Sequence, residues 1–388
     1  MSRRRAFQYA FHAATALALN ALVMPSAWSQ AQEVVVGVSV SVTGPAASLG
    51  LAEKQSIELR PRTLGGLPVR YVILDDATDP SQAAKNARRL IDVEKVDVII
   101  GSSTVPASLT MAEIAAETKT PQIALAPFSA KPEQHPWVFP LPQNVSIMAG
   151  AVFDHMKAKG VKSLGFIGFS DAWGESWLKE AQARTTELGI KLAAVERYVR
   201  TDTSVTAQTL KLMAAQPDAV LVAGSGSPSA LPMRSLRERG YKGQIYQTHG
   251  VANNDFLRVS GEADEGAILP SGPVLVVEQL ADDHPAKSAG LSYVRAYEAK
   301  YGPGSRNNFG AYAHDATLVL DRAVAVAARK ARPGSAEFRQ ALRDAIEGTR
   351  DLAVTHGVIN MSAKDHSGFD ARSRVLLSIQ KNSWQLLK

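Results

Sequence analysis

The sequence predicts an α/β protein built on parallel sheets with helices on both faces. Three observations carry that prediction. Short apolar runs of buried-strand type alternate with helical patterns along most of the chain. The 388 residues, 45% of them hydrophobic, exceed what one core usually holds, since single cores rarely grow past about 250–300 residues. The segments expected to leave the strand ends (101–104, 126–130, 169–174, 223–228 and 247–253) are short and rich in Gly, Ser, Asn and Pro. Sheets of this kind bind ligands at the carboxyl ends of their strands.

The N-terminus reads as an export signal over residues 1–30. Arg3, Arg4 and Arg5 lead into the apolar stretch Ala6–Met24, and small-x-small cleavage sites follow at 27–29 and 29–31. Arg4-Arg5-Ala6-Phe7 leaves two export routes open, general and twin-arginine. An uncleaved anchor is the other reading. The expected location after cleavage is the periplasm. A net charge of +6 falls to +3 when these residues are removed. No basic run with interleaved aromatics follows, so nucleic acid is not an expected partner. The absence of cysteine excludes disulfides, thiol catalysis and cysteine-ligated zinc. Past the signal no run reaches about 18 apolar residues, so no membrane span is expected there.

In chain order, Glu33–Val40 is a strand, Thr43-Gly44-Pro45 a turn and Leu49–Arg60 a helix. Val69–Leu74 is the next strand, followed by Asp75, Asp76 and Asp79. Metal binding is one reading of these acids. The structural one is that Asp79 caps a helix with Pro80 at its first position and Gln82 closing a capping box. Val96–Ile100, interrupted only by Asp97, is a strand that ends at Gly101. The hydroxyls of Ser102, Ser103 and Thr104 then sit where a helix begins. Unpaired N–H groups at such a place suit an anion, or Ser103 or Thr104 simply caps the helix. Strands are expected at 122–126, 137–139, 163–169, 190–199, 219–223 and 244–247, with helices between them, and then helices near 287–300, 308–329 and 336–347. Residues 266–276 read as a crossover between domains, and 354–387 as strands around a polar turn at 365–368.

Enzyme activity is not expected. G-x-S-x-G, G-x-x-x-x-G-K-[ST] and H-E-x-x-H are all missing, and Gly224-Ser225-Gly226-Ser227 lacks the lysine of a phosphate loop. Trp173, at a helix start after a strand, is either a packing tryptophan or an aromatic at a cleft mouth. Phe128 is a core plug or a ligand wall. His249, in a strand-exit loop, is a surface histidine or a ligand donor.

Six segments in order resemble the leucine/isoleucine/valine-binding family of periplasmic receptors for ABC importers. They are Gly44-Pro45 with Gly50, DDATDPSQAA at 75–84, IIGSSTVPAS at 99–108, PFSAKPE at 127–133, FSDAWGESW at 169–177 and GYKGQIYQTHGVANNDF at 240–256. The resemblance implies a type I periplasmic binding fold: two Rossmann-like lobes joined by a three-crossover hinge that closes on a ligand. It places lobe 1 at 32–143 plus 275–352 and lobe 2 at 144–274 plus 353–388. Implied partners are a membrane permease and ATPase subunits. The receptor is expected to be a monomer, with no cofactor and no metal.

Carried over by position, the family's carboxylate-holding serine loop falls on Ser102 and Ser103 with Thr104 beside them. A second carboxylate segment falls on Phe128, Ser129 and Ala130. The aromatic above the ligand falls on Trp173, and the wall of the first loop on Leu49. Amino-acid receptors of the family hold the ligand ammonium with an acid where this chain has His249, assisted by a tyrosine that falls in Gly226-Ser227-Pro228. Neutral histidine cannot replace that charge. The expected ligand is therefore a small carboxylate without an α-ammonium, an aromatic acid, with His249 and Ser227 among its contacts. A true branched-chain amino acid receptor and an amide or urea receptor of the same fold are the alternatives.

Overall fold

The computed structural model describes residues 33–59, 62–128 and 131–387. The expected signal peptide, 1–30, and the candidate Ser129 lie outside the described residues. The first sheet is built from β1 (Val34–Val40), β2 (Thr63–Leu64), β3 (Leu67–Asp75), β4 (Val98–Gly101), β5 (Gln122–Ala124) and β6 (Val138–Pro140). Between them run α1 (Ala47–Glu58), α2 (Pro80–Asp92) and α3 (Val105–Thr118). The order is β2-β3-β1-β4-β5-β6, parallel except for the short β2. Val34, Val36, Val38 and Val40 of β1 are wholly buried, as are Ile99 and Ile100 of β4. Central parallel strands covered on both faces take such continuous apolar runs.

The second sheet begins after α4 (Val145–Ala158). It contains β7 (Ser163–Phe169), β8 (Lys191–Tyr198), β9 (Ala219–Ala223), β10 (Gln244–Gln247) and β11 (Ile268–Ser271), connected through α5 (Ala172–Leu188), α6 (Thr206–Ala214), α7 (Ala230–Glu238) and α8 (Asn254–Ser260). Next come α9 (Lys287–Tyr301), α10 (Asn308–Ala327), α11 (Ala336–Glu347) and a hairpin of β12 (Leu352–Val354) and β13 (Gly357–Ile359). Finally β14 (Val375–Gln380) and β15 (Ser383–Leu386) return antiparallel to the second sheet, whose order is β15-β14-β11-β10-β9-β7-β8. Thus 268–271, part of the expected crossover, is a strand of that sheet. Val354, Ile359, Met361 and Phe369 pack into the core of the first sheet. Among the described residues no helix is long and apolar enough to cross a membrane.

Acidic side chains fix the loops. Asp79 caps α2, accepting from the N–H groups of Ser81 and Gln82. The Gln82 side chain donates to Asn86 instead of returning to the cap, so the capping box stays open. Asp75 accepts from the backbone of Val42, Thr43 and Ala77. No group of acids, histidines or cysteines arranged for a metal occurs among the described residues. Asp97, the polar interruption before β4, is buried because its carboxylate takes the N–H groups of Val35 at 3.0 Å and Gly334 at 2.6 Å.

In each sheet the strand order reverses beside the first strand, at β1/β4 and at β7/β9. Helix N-termini and loops part at such switch points and leave a crevice. The chain crosses between the two lobes after β6, after β11 and after β13, and buried polar contacts gather these crossings. Gln143 accepts from Tyr312 Oη at 2.6 Å and donates to the Ser373 carbonyl at 2.6 Å. His356 stacks on Tyr312 with centroids 3.9 Å apart, and its Nδ1 lies 2.8 Å from Asp315. Gly272 is pressed against His356: a Cβ there would lie 2.0 Å from Cδ2. We expect Gly272→Ala to cost about 3 kcal/mol by overpacking this junction, read as a lower urea midpoint with an unchanged slope.

Candidate functional site

From the first sheet, the exit of β4 supplies three hydroxyls that do three different things. Ser102 Oγ donates to Asp76 at 2.7 Å and is wholly buried. Ser103 Oγ accepts from the N–H of Ser41 at 2.9 Å and is hydrogen-bonded to Glu53. Thr104 stands at the N-cap of α3, yet its side chain makes no capping bond. Among the described residues, the start of α3 therefore has no side-chain cap for its N–H groups and carries the positive end of the helix dipole. Burial raises the pKa of Asp76 even though Ser39, Ser41, Ser102 and Thr78 all donate to it.

From the second sheet come the aromatic and basic groups. Asp171 caps α5 and so sets Trp173 in the first turn, where its Nε1–H donates to the Gly224 carbonyl at 2.9 Å. Asp171 also accepts from Arg200 Nε at 2.7 Å. Arg200 Nη1 donates to Ser225 at 2.8 Å, and the guanidinium lies 4.2 Å from the Phe169 ring centroid. His249, in the 3-10 turn after β10, meets Trp173 edge-on at 5.1 Å between centroids. It is 2% exposed, and neither ring nitrogen has a hydrogen-bond partner among the described residues. Burial, helped by His356, pushes its pKa down to about 3, so the ring is neutral at physiological pH.

These groups line one cavity between the lobes, with about 350 Å³ of space between atoms that includes some open solvent. Of the residues expected from sequence, Leu49, Ser103, Thr104, Trp173 and His249 meet there. Ser102 is turned toward Asp76, and Phe128 packs in the core edge-on to His135. Ser227 opens a 3-10 turn, and Ser225, two residues earlier, reaches the cavity instead. Leu125, Ala126, Pro127, Pro142 and Phe309 give apolar wall, and Tyr312 joins the cavity to the crossings. Arg200 is the cation of the lining, and among the described residues no Asp or Glu belongs to it.

Sequence reasoning missed Arg200, Phe309 and Tyr312. Arg200 follows β8 and obeys the same rule of strand carboxyl ends as the other loops. Phe309 and Tyr312 lie one turn apart on α10, a helix whose long apolar pattern gives no sign that one end meets a ligand.

A family model described as Periplasmic binding protein matches residues 33–375. The chain belongs to the periplasmic binding protein family. Its fold is that of the type I members, and the class is extracytoplasmic and captures ligands for ABC importers. An extracellular ligand-binding receptor from Rhodopseudomonas palustris is 44% identical, with a TM-score of 0.90 over 92% of this chain and 99% of that one. Leu/Ile/Val-binding protein homolog 1 of Brucella suis is 25% identical over 64% of this chain and 68% of its own length. A solute binding protein of an ABC transporter from R. palustris BisB5, in complex with 3,4-dihydroxybenzoic acid, shares the fold at 20% identity, with a TM-score of 0.77 over 91% and 95% of the two chains.

The neutral state of His249 in this periplasmic binding protein has a measurable consequence. Its folded pKa lies below its ordinary value of 6.5, so its contribution to stability is present above that value and is lost as pH falls toward 3. We expect the stability advantage of wild type over His249→Gln, followed by denaturant melts, to shrink by roughly 2–3 kcal/mol between pH 7 and 4.5.

Proposed function

We propose that this periplasmic binding protein captures a small carboxylate lacking an α-ammonium, an aromatic acid of the benzoate or cinnamate type, by closure of its two lobes. The observation that carries this reading is the charge of the cavity, which among the described residues has one arginine, no carboxylate and a neutral histidine. An α-ammonium would enter such a place unpaired, and lacking one partner of a buried charge pair costs about 2–5 kcal/mol. The ligand carboxylate meets the hydroxyls of Ser103 and Thr104 and the first N–H groups of α3, with Ser129 as the second contact. Its ring lies among Leu49, Phe309 and Trp173. A ring hydroxyl satisfies the unpartnered nitrogens of His249, since neutral imidazole offers one donor and one acceptor. Arg200, held by Asp171 and Ser225, adds positive potential. Ser102, through Asp76, together with Phe128 and Ser227 shapes the loops around these contacts.

The lobes in this reading are 32–143 plus 275–352 and 144–274 plus 353–388, except that the packing of Val354, Ile359, Met361 and Phe369 gives the stretch from 353 to 369 to lobe 1. The chain is exported through its N-terminal signal, acts as a monomer without cofactor or turnover, and delivers its ligand to a permease with ATPase subunits. Aromatic acid as cargo is supported by the dihydroxybenzoate complex of the R. palustris relative with this fold. The name of the Brucella relative favours the second reading, a branched-chain amino acid.

A thermal-shift series with benzoate, 4-hydroxybenzoate, p-coumarate, leucine, valine and urea decides between them. A ligand at 100 times its Kd adds about 2.7 kcal/mol and raises the midpoint visibly. We expect the aromatic acids to raise it while leucine and urea leave it unchanged. A larger shift with leucine would overturn the aromatic reading.

A further inference from the structure

Behind Ser103 lies a carboxyl group that ligand capture, as described so far, does not use. Glu53 stands on the buried side of α1 beside Leu49, Ala52, Ser56 and Ile57, and is wholly buried. Its Oε2 is hydrogen-bonded to the Ser103 hydroxyl. Its Oε1 has no partner among the described residues. The surrounding elements carry Asp75 at the end of β3 and Asp76 just after it, His314 and Asp315 on α10, and Tyr293 and Tyr297 on α9. Lys54 and Glu58 lie on α1 itself, and Arg200 and His249 face the cavity from the other lobe. Of these, Asp76 is the charge that acts on Glu53, and it is negative. Burial chiefly, with Asp76 adding to it, pushes the Glu53 pKa up to about 8, against the lowering pull of Ser103.

A serine hydroxyl has one proton to give and two lone pairs. At Ser103 the N–H of Ser41 takes one lone pair. A neutral Glu53 gives its proton to the other, and the Ser103 O–H is then left for the cavity. An ionised Glu53 instead takes the Ser103 proton, so the cavity loses a donor and gains a negative charge behind it. We propose that Glu53 is a positioning residue that donates to Ser103 as a neutral acid, turns the Ser103 hydroxyl toward an anionic ligand, and couples capture of that ligand to its own proton. This rests on the reading of a carboxylate held at Ser103. Capture then weakens as pH rises past about 8, because ligand and Glu53 anion compete for one hydroxyl.

Glu53→Gln tests the idea, since its amide donates to Ser103 at every pH. The first measurement is ligand-free. A folded pKa above the unfolded 4.5 means that wild type loses stability as pH rises from there to about 8. The Tm of E53Q minus that of wild type should therefore rise by several degrees between pH 5 and 8 and then level off. A constant difference overturns the neutral acid. The second is calorimetric titration with benzoate, which stays ionised from pH 6.5 to 9.5. The wild-type Kd should rise about tenfold per unit above pH 8, while that of E53Q stays within about twofold. Equal pH profiles overturn the positioning role. Glu53→Leu, which neither titrates nor donates, should repeat the Tm result with weakened binding at every pH, and it serves if E53Q does not fold. If no variant binds benzoate at pH 6.5, the carboxylate reading fails and takes the positioning role with it. The Tm series still reports separately on the Glu53 proton.

Discussion

The 2.6 Å hydrogen bond from Tyr312 to Gln143 ties the cavity to all three crossings between the lobes. Gln143 lies on the first crossing and holds Ser373 on the third. His356, in the hairpin turn that precedes the third, stacks on Tyr312 and fills the space left by Gly272 on the second. Asp315 secures the same junction through the N–H and hydroxyl of Thr355. A buried network of this kind is costly unless every member is satisfied. Because Tyr312 and Phe309 also line the cavity, whatever fills the cavity rests on the helix that the crossings are bound to. Rearrangement of the lobes and occupation of the cleft therefore act on one set of side chains.

A second regularity is the use of acids as anchors for backbone and hydroxyl groups. Asp76 gathers Ser39, Ser41 and Ser102, Asp97 joins β1 to Gly334, and Asp171 holds both α5 and Arg200. Asp76 and Asp171 stand behind the cavity wall, bonded to Ser102 and Arg200, and the lining itself presents hydroxyls, an arginine and a neutral imidazole. The cavity is thus hospitable to an anion although acidic groups stand close behind it. Arg200 is paired with Asp171 at 2.7 Å, so its effect on a ligand is positional as much as coulombic.

The alternation of strands and helices was legible because parallel strands buried on both faces are short apolar runs with little else to confuse them. Leu49, Ser103, Thr104, Trp173 and His249 were legible as a group because each follows a strand at its carboxyl end, with the family resemblance fixing which residue in each loop to choose. The limits are local and geometric. Ser102 and Ser103 are neighbours in one loop, yet one hydroxyl bonds to Asp76, while the other bonds to Ser41 and Glu53 and its residue lines the cavity. No pattern of residue types separates them. Ser225 stands in the cavity where Ser227 was expected, an offset that depends on where the 3-10 turn begins. Tyr312 and Phe309 arrive from a helix far along the chain, brought in by tertiary packing alone. Glu53 did leave a trace, an acid four residues from both Leu49 and Ile57 on the apolar stripe of α1.

Trp173 gives the cleft an optical character of its own. Its indole is buried, its N–H is fixed on the Gly224 carbonyl, and the imidazole of His249 meets it edge-on. Trp177 lies beside Trp173, 6.0 Å between centroids, and meets the same imidazole at 5.9 Å. A guest that polarises or displaces His249 changes the surroundings of both indoles at once. Intrinsic fluorescence thus reports occupancy from inside the cleft, and with no cysteine in the chain a dye attached at one introduced thiol has no competing site.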